Sequence, residues 1–458
     1  MKNNALRSVS LLLAGLALAP LAAEAVPSFA RQMDMQCIAC HTEFPLLNNF
    51  GRLFKLSGYT LSVGQSELPP IAVMLQPSFT HTQQGQAGGA APGFKDNNNP
   101  ALTQASLFYA GRLFGPYATN LFGPDGAAIA NKFGVFIQAT DDGVAKQWHW
   151  DNTELRFAST GEVAGLPVTY GVYANNNPMM QDAWNSTPAW GFPFTGSSLA
   201  PTPAAAPLLQ GGLAQQVGGV GAYALVAESY YIDVGGYQAL NSQFQKSVGI
   251  DPTGQTQLAG TAPYWRAAYT KTVNNSSFEI GTFGLVANTF PGRDSSAGQD
   301  RMADIGIDAQ AQTSFDQHDF TAMLTWINER ENWNASQTLG NTTNSADNLH
   351  SFKATVDYLY DKTCGGAVQL FSVDGSTDPL LYGGSATGSP RSNGMVLQLN
   401  YLPFNKAGGP ALWPRSNVKF SLQYTIYRCF DGASRNYDGL GHNASDNNTL
   451  YLEAWIAF

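Results

Sequence analysis

This sequence of 458 residues is poor in charge and has no segment suited to a membrane-spanning helix. After the first 25 residues no run of eighteen apolar residues occurs, which excludes helices that cross a membrane. Charged residues make up only 12%, while aromatic residues also reach 12% and glycine occurs 47 times. This balance is typical of strands with one apolar and one polar face. The net charge of −9 argues against nucleic acid as a partner, and no residue pattern indicates nucleophilic catalysis, phosphate binding or zinc.

The first 25 residues have the pattern of a secretory signal peptide. Lys2 and Arg7 precede an apolar stretch from Leu11 to Ala22, and Ala23-Glu24-Ala25 follows as a small-x-small cleavage site. The sequence therefore predicts an exported protein whose mature chain starts at Val26.

The most specific motif is Cys37-Ile38-Ala39-Cys40-His41. Two cysteines at this spacing form thioethers with the haem vinyl groups, and the histidine that follows becomes the proximal iron ligand, as in c-type cytochromes. Zinc binding and thiol redox chemistry are the alternatives for this motif in a cytosolic protein. Because haem is attached to c-type cytochromes after export, the signal peptide favours haem. We predict one covalent haem c held by Cys37, Cys40 and His41.

Residues 26–66 have a helical pattern and form the predicted haem segment. Apolar side chains recur there at spacings of three and four, with Pro45 in the first turn and Gly58 as a stop. About 40 residues cannot bury enough surface to be stable alone. We therefore predict a monohaem cytochrome c plug that is sheltered in the lumen of the barrel formed by the rest of the chain.

Residues 67–458 have the alternating pattern of an all-β, 16-stranded transmembrane antiparallel β-barrel of the outer membrane. An even number of strands places both ends of the barrel on the periplasmic side. A soluble β-sandwich is the alternative, but the alternation continues to the last residue, Phe458, as in the final strand of an outer-membrane barrel. The predicted strands lie near 70–82, 101–113, 132–140, 149–159, 167–176, 218–227, 229–239, 263–272, 276–289, 302–313, 317–329, 348–360, 364–373, 394–403, 416–428 and 449–458.

The connections between these strands alternate in length, short on the periplasmic side and long outside. Residues 114–131 are too long for an ordinary periplasmic turn, so the strand count is open to an error of one hairpin at that point. The segment 178–194 carries Trp184, Trp190, Phe192 and Phe194. We predict that it folds inward to constrict the pore or pack on the plug; the alternative is an outer rim of membrane-interface aromatics.

The second axial ligand of a six-coordinate haem must come from outside the motif. Met74 shares the lumen face of the first strand with polar side chains, which makes it the leading candidate, and an apolar contact with the porphyrin is its alternative role. His81 lies on the lipid-facing side of the same strand and is a weaker candidate. Methionine ligation raises the potential of a haem relative to two histidines. The remaining options are Met33, Met35, Met179 and Met180.

Charged residues suggest further contacts to the cofactor and to a cation. Arg52 and Lys55 are one helical turn apart and are predicted to pair with the haem propionates, with a solvated helix face as the alternative. Oxygen ligands suit hard metal ions, so lumen carboxylates are candidates to attract a cation: Asp304, Asp308 and Glu329.

The two cysteines outside the motif are Cys364 and Cys429. The strand count places them near opposite ends of the barrel, so no disulfide is expected between them.

Four groups of residues resemble the fused monohaem cytochrome-porins of iron-oxidising bacteria. They are the haem motif with its extension Thr42-Glu43-Phe44-Pro45 through Gly58-Tyr59, residues 106–112, the segments 175–178, 182–185 and 188–193, and the ending Ala454-Trp455-Ile456-Ala457-Phe458. The resemblance covers nearly the whole mature chain.

This resemblance implies an iron oxidase integral to the bacterial outer membrane, with its haem plug reached from the periplasmic side. Fe(II) would give one electron to the haem, and a periplasmic c-type cytochrome would accept it. Two other functions are open: a passive porin in which the haem only stabilises the plug, and a protein that exports electrons to an external acceptor.

Overall fold

The computed structural model describes residues 27–63, 68–253, 255–410 and 416–458. The predicted signal peptide, 1–25, lies outside these ranges. Helix α1 (Pro27–Met33) and helix α2 (Asn49–Leu56) flank the haem motif, and three shorter or more distant helices follow: α3 (Ala118–Ala130), α4 (Ser242–Ser247) and α5 (Asn334–Thr338). No described helix has both the length and the apolar character needed to cross a membrane.

Seventeen strands of the described chain form one antiparallel sheet, and sixteen of them make a closed cylinder. Strand β1 pairs with both β2 and β17, and the register Met74↔Ala457 and Thr82↔Thr449 closes the wall. Strand β8 has two residues and pairs only with the outer end of β10, while β7 pairs directly with β9. The predicted 16-stranded barrel is confirmed, and β8 is the one strand that the sequence pattern missed.

The strands span β1 (Ile71–Thr82), β2 (Asn99–Arg112), β3 (Phe133–Asp142), β4 (Gln147–Val163), β5 (Leu166–Asn175), β6 (Val217–Val226), β7 (Tyr230–Ala239), β8 (Gln257–Leu258), β9 (Ala262–Val273), β10 (Ser276–Phe290), β11 (Asp300–Phe315), β12 (His318–Asn332), β13 (Ala346–Tyr360), β14 (Cys364–Gly375), β15 (Ser392–Tyr401), β16 (Asn417–Cys429) and β17 (Thr449–Ala457).

The wall has a polar inner face and an apolar outer face because successive side chains of a strand point to opposite sides. On β11 Asp304 and Asp308 are buried toward the lumen, whereas Ile305 and Ile307 are about half exposed on the outside. Aromatic rings also pair on the outer face toward the end of the barrel that carries the short turns, as in Tyr230 with Tyr269, Phe320 with Tyr358 and Tyr401 with Phe420. An apolar band edged by aromatic rings is the surface of an outer-membrane barrel.

The connection between β2 and β3 includes residues 114–131, which the sequence showed to be unusually long for a periplasmic turn. It contains α3, which bends at Gly123, and no additional hairpin. The strand count therefore needs no correction there. Short turns at 164–165, 227–229 and 316–317 lie on the same side of the barrel, which identifies this side as periplasmic.

The two cysteines outside the motif lie at opposite ends of the wall, as predicted. Cys364 begins β14 at the periplasmic end, and Cys429 ends β16 at the external end. Both thiols are free.

Glycines on β6 leave room for tyrosine rings that lie flat against the inner wall. A Cβ atom at Gly219 would overlap the ring of Tyr237, and one at Gly221 would overlap the ring of Tyr173. Both tyrosines are buried. Because glycine has no side chain, the large aromatic rings of these tyrosines fill the lumen on this side without widening the barrel.

We expect Gly219→Ala to lower the free energy of unfolding by about 1–3 kcal/mol, the usual cost of overpacking. The measurement is urea unfolding of the barrel in detergent micelles. Gly196→Ala is the control, because a Cβ atom at that loop position meets open space. Equal stability of the two variants would contradict the tight fit of Tyr237.

Candidate functional site

The helical segment 27–63, called the plug below, lies inside the lumen. Its own core forms where Phe29 stacks on Tyr59 and meets Phe54 edge-on. Hydrogen bonds and ion pairs attach it to the wall in several directions. The wall residues that make these bonds come from strands β4, β6, β10, β11, β15 and β16: Glu154, Arg156, Tyr223, Ser277, Gln312, Asn400 and Lys419. Contacts on so many strands show that the barrel surrounds the plug, as predicted.

The haem motif forms one tight turn. The amides of Cys40 and His41 both donate to the carbonyl of Cys37, at 3.1 and 3.0 Å. Asn48 then begins α2: its Oδ1 atom accepts from the amides of Phe50 and Gly51, and its Nδ2 atom donates to the Ala39 carbonyl at 3.0 Å. One side chain therefore fixes the first turn of α2 against the motif.

Gly51 allows α2 to pack directly on the motif. A Cβ atom at this position would overlap the backbone carbonyl of Cys40. The helix and the motif are therefore in backbone contact, and no side chain larger than hydrogen fits between them.

The three motif side chains fit the attachment of haem c. Both thiols are free, and burial raises the pKa of Cys37 and of Cys40 to about 11. Burial lowers the pKa of His41 to about 4, so the imidazole is neutral and offers a lone pair. The backbone at Pro45 and Leu46 lies beside the ring and partly opposes this pKa shift, although no hydrogen bond of normal geometry from the described residues reaches the buried Nδ1 atom. Across those residues no group of three or more His, Cys, Asp or Glu side chains is arranged to hold a metal ion.

Met74 faces the lumen, as the strand pattern predicted. It is 4% exposed and belongs to a buried cluster with Ala72 and Phe108, against which Phe29 of the plug and Trp455 pack. Trp455 also meets Phe44 edge-on, with ring centroids 5.4 Å apart. Met74 thus belongs to a cluster of the wall that meets the plug, and its sulfur accepts a hydrogen bond from Gln76 at 3.8 Å. Its role as axial ligand stays a prediction.

The other proposed ligands lie in different settings. His81 is at the external end of β1, where its Nδ1 atom bonds to Asn98 at 2.9 Å. Met33 is part of the plug core, and Met179 and Met180 are fully buried in the connection between β5 and β6.

Arg52 and Lys55 both have partners in the structure. Arg52 donates to Ser277 and Gln312, each at 2.8 Å, and burial lowers its pKa to about 10. The Nζ atom of Lys55 lies 4.7 Å from the ring centre of Trp190, and burial, with the charge of Arg156 nearby, lowers its pKa to about 7. Arg52 therefore anchors the plug to the wall, and its contact with a propionate stays a prediction.

Lys419 is the residue at this site that sequence reasoning missed. Its ammonium donates to the carbonyl of Phe44 at 2.8 Å and forms an ion pair with Glu43 at 3.5 Å, and it is 1% exposed. Asn400 adds a hydrogen bond to Glu43 at 2.9 Å. Three aromatic rings surround the cation, at 5.2 to 5.6 Å: Phe44, Phe194 and Trp455.

Lys419 thus attaches the peptide just after His41 to the barrel wall. The sequence does show a lysine at an inward position of a strand. It does not show which residue, hundreds of positions away, is the partner of that lysine.

The connection between β5 and β6, residues 176–216, folds into the lumen and is called the inward loop below. Trp184 and Phe192 are each 2% exposed. Asn185 accepts from the amide of Leu47 in the plug at 3.2 Å, and Gln369 donates to the carbonyl of Phe192 at 2.6 Å. The prediction of an inward fold is confirmed, and the alternative of an outer aromatic rim is wrong.

The lumen carboxylates that were candidates to attract a cation hold the inward loop in place. Asp304 accepts from the amide of Leu209 at 2.8 Å, and Glu329 from the amide of Leu208 at 2.9 Å. Asp308 is tied to Arg266 at 2.7 Å. Arg266 also contacts two further carboxylates, Asp182 and Glu279.

Comparison with known proteins adds three similar barrels. The outer-membrane channel DcaP of Acinetobacter baumannii is 9% identical over 87% of this chain and 100% of its own, with a TM-score of 0.44. A loop-deletion form of OmpT of Vibrio cholerae is 8% identical over 85% and 98%, with a TM-score of 0.42. The anion-selective porin from Comamonas acidovorans is 11% identical over 84% and 97%, with a TM-score of 0.42. No protein-family model and no curated protein matches the chain.

We expect Gly51→Ala to loosen the plug by at least about 1–3 kcal/mol, since the added methyl group meets backbone that cannot rotate away. Limited proteolysis of the folded barrel measures this as faster cleavage within 27–63. Gly384→Ala is the matched control, because its Cβ atom meets open space in an external loop. A plug as resistant in Gly51→Ala as in the control would show that the contact with Cys40 is not tight.

We expect Lys419→Met alone to destabilise the protein by about 3 kcal/mol, because Glu43 then remains buried without its cation. The double variant Glu43→Gln with Lys419→Met removes both charges, so it is expected to lose less than the sum of the single variants. Thermal unfolding of the wild type, both single variants and the double variant gives the coupling. Strictly additive losses would show that the two charges do not interact.

Proposed function

We propose that this protein is an outer-membrane electron carrier with one covalent haem c, which oxidises Fe(II) and passes the electron to a periplasmic c-type cytochrome. The observation that carries the proposal is the arrangement of the motif Cys37–His41. Two free thiols and a neutral imidazole lie in one turn inside a membrane-spanning barrel. When bound, the haem iron supplies a centre that gains and loses a single electron.

The chain's own residues would position and shield that centre. Cys37 and Cys40 hold the cofactor, and His41 binds the iron. The contact of Gly51 with Cys40 and the bonds of Lys419 to Glu43 and Phe44 fix the motif relative to the wall. Met74 is the candidate for the sixth ligand, and Arg52 the candidate partner of a propionate.

The filled lumen favours electron transfer over the alternative of a passive porin. The plug occupies the lumen from the periplasmic side, and the inward loop packs against it through the bond between Asn185 and Leu47. Trp184, Phe192 and Met180 are buried in this packing. An electron crosses such packed protein, whereas a solute needs an open path.

The direction from Fe(II) to the periplasm follows from the resemblance to the cytochrome-porins and from the candidate methionine ligand. Methionine with histidine gives a higher potential than two histidines, which suits an acceptor of electrons from iron. The lumen carboxylates already hold the loop and Arg266, so we assign none of them as an Fe(II) ligand. Fe(II) is expected to react from the external side.

Stopped-flow mixing of the purified oxidised protein with Fe(II) tests the proposal. We expect the absorbance of reduced haem to appear during the stopped-flow time course. The double variant Cys37→Ala with Cys40→Ala is expected to lack covalent haem while keeping a folded barrel. A haem that stays oxidised in the presence of Fe(II) would refute iron oxidation and leave the passive porin.

A redox titration of the same protein, with spectra of both states, separates the remaining alternatives. A midpoint potential far below the iron couple at the working pH would favour export of electrons to an external acceptor. Loss of the methionine spectral signature in Met74→Ala, compared with Met323→Ala on another strand, tests the sixth ligand.

A further inference from the structure

A small cavity lies in the lumen between the inward loop and the strands β12, β13 and β14. Its volume is about 20 Å³, more than the roughly 10–15 Å³ that one water molecule needs. Asn185 and Gln210 line it from the loop, and Thr325, Ser351, Lys353 and Gln369 line it from the wall. None of the lining residues is a carboxylate, although carboxylates are common elsewhere in this lumen.

Lys353 brings a positive charge into this cavity without a partner. The alternation of β13 directs its side chain inward, between the buried Ser351 and Thr355. Within the part of the chain that the structure describes, its ammonium makes no hydrogen bond and no ion pair. By contrast, Arg266 and Lys419 each contact a carboxylate, Arg52 donates to Ser277 and Gln312, and Lys55 lies over the ring of Trp190. Lys353 is half-buried, so water compensates its charge only in part, and an opposite charge beside it would be stabilising.

We propose that the cavity is a binding site for a small monovalent inorganic anion of about the size of chloride. The ammonium of Lys353 supplies the charge. The amide of Gln210 is oriented by Ser351, which donates to its Oε1 atom at 2.7 Å, so the N–H₂ end of the amide is available as a donor. A single water molecule would fit the volume but would not compensate the charge.

The site borders the plug but is independent of the haem. Asn185, one of the lining residues, accepts from the amide of Leu47, and Phe192 on the same loop packs with Leu46. An anion bound at Lys353 therefore stabilises the junction of loop, wall and plug. This role adds to the proposed electron transfer and stands even if that proposal fails.

Chloride binding to the purified full-length protein in detergent tests the proposal by the line width of the ³⁵Cl NMR signal. We expect a saturable broadening in the wild type and an affinity at least about tenfold weaker in Lys353→Met, since a hydrogen bond to a charged group is lost. Lys132→Met is the control, because Lys132 bonds to Ser159 outside the lumen. It is expected to bind chloride like the wild type.

Two further measurements distinguish loss of anion binding from loss of folding. Heat-modifiable gel migration shows whether each variant is a folded barrel, and Lys353→Gln replaces Lys353→Met if the latter does not fold. Crystals grown in bromide are expected to show anomalous density beside the Lys353 ammonium. Absence of saturable broadening in the wild type, or unchanged binding in a folded Lys353 variant, would overturn the proposal.

Discussion

Closure of the wall by β1 and β17 is the constraint on which the rest of this structure depends. An open sheet would leave a row of unpaired backbone groups in lipid, and a closed cylinder leaves none. The same closure creates an enclosed space whose wall carries polar side chains. Because buried polar groups need partners, this space must be filled with water or with matching protein. Here the plug and the inward loop fill it.

The bonds between these three parts are mostly charged or charge-assisted. Lys419 joins the plug and wall, and packs against a ring of the inward loop. Arg266 gathers carboxylates from the loop and from two strands. Removing one charge from such a cluster lowers the stability of the protein strongly, because an opposite charge then remains buried without a partner. Lys353 differs from the other lumen cations named here, because Arg52, Lys55, Arg266 and Lys419 each have a protein partner.

This packing matters for the proposed chemistry because it fixes the haem motif without closing the route for an electron. The turn Cys37–His41 is held by the backbone contact at Gly51 on one side and by Lys419 on the other. A rigidly held cofactor needs little rearrangement when its charge changes. A lumen blocked to solutes would also keep iron outside, where an insoluble oxidation product does no harm to the periplasm.

Much of this molecule could be predicted from the sequence, because the relevant signals are local. Strand alternation depends only on neighbouring residues, so the sixteen strands, the inward direction of Met74 and the polar face at Asp304 and Asp308 all follow from it. The motif Cys37–His41 is likewise complete within five residues. The extra strand β8 was missed because two residues are too few to show a period.

Only the tertiary structure decided which distant side chains meet. The pairing of Glu43 with Lys419, the overlap that makes glycine necessary at position 51, and the isolation of Lys353 depend on how strands separated by hundreds of residues close around the plug. The alternation of a strand predicts the face on which a side chain lies. It does not predict which residue that side chain contacts across the lumen. That neighbour is set by the closure of the barrel and by the order in which its strands pair.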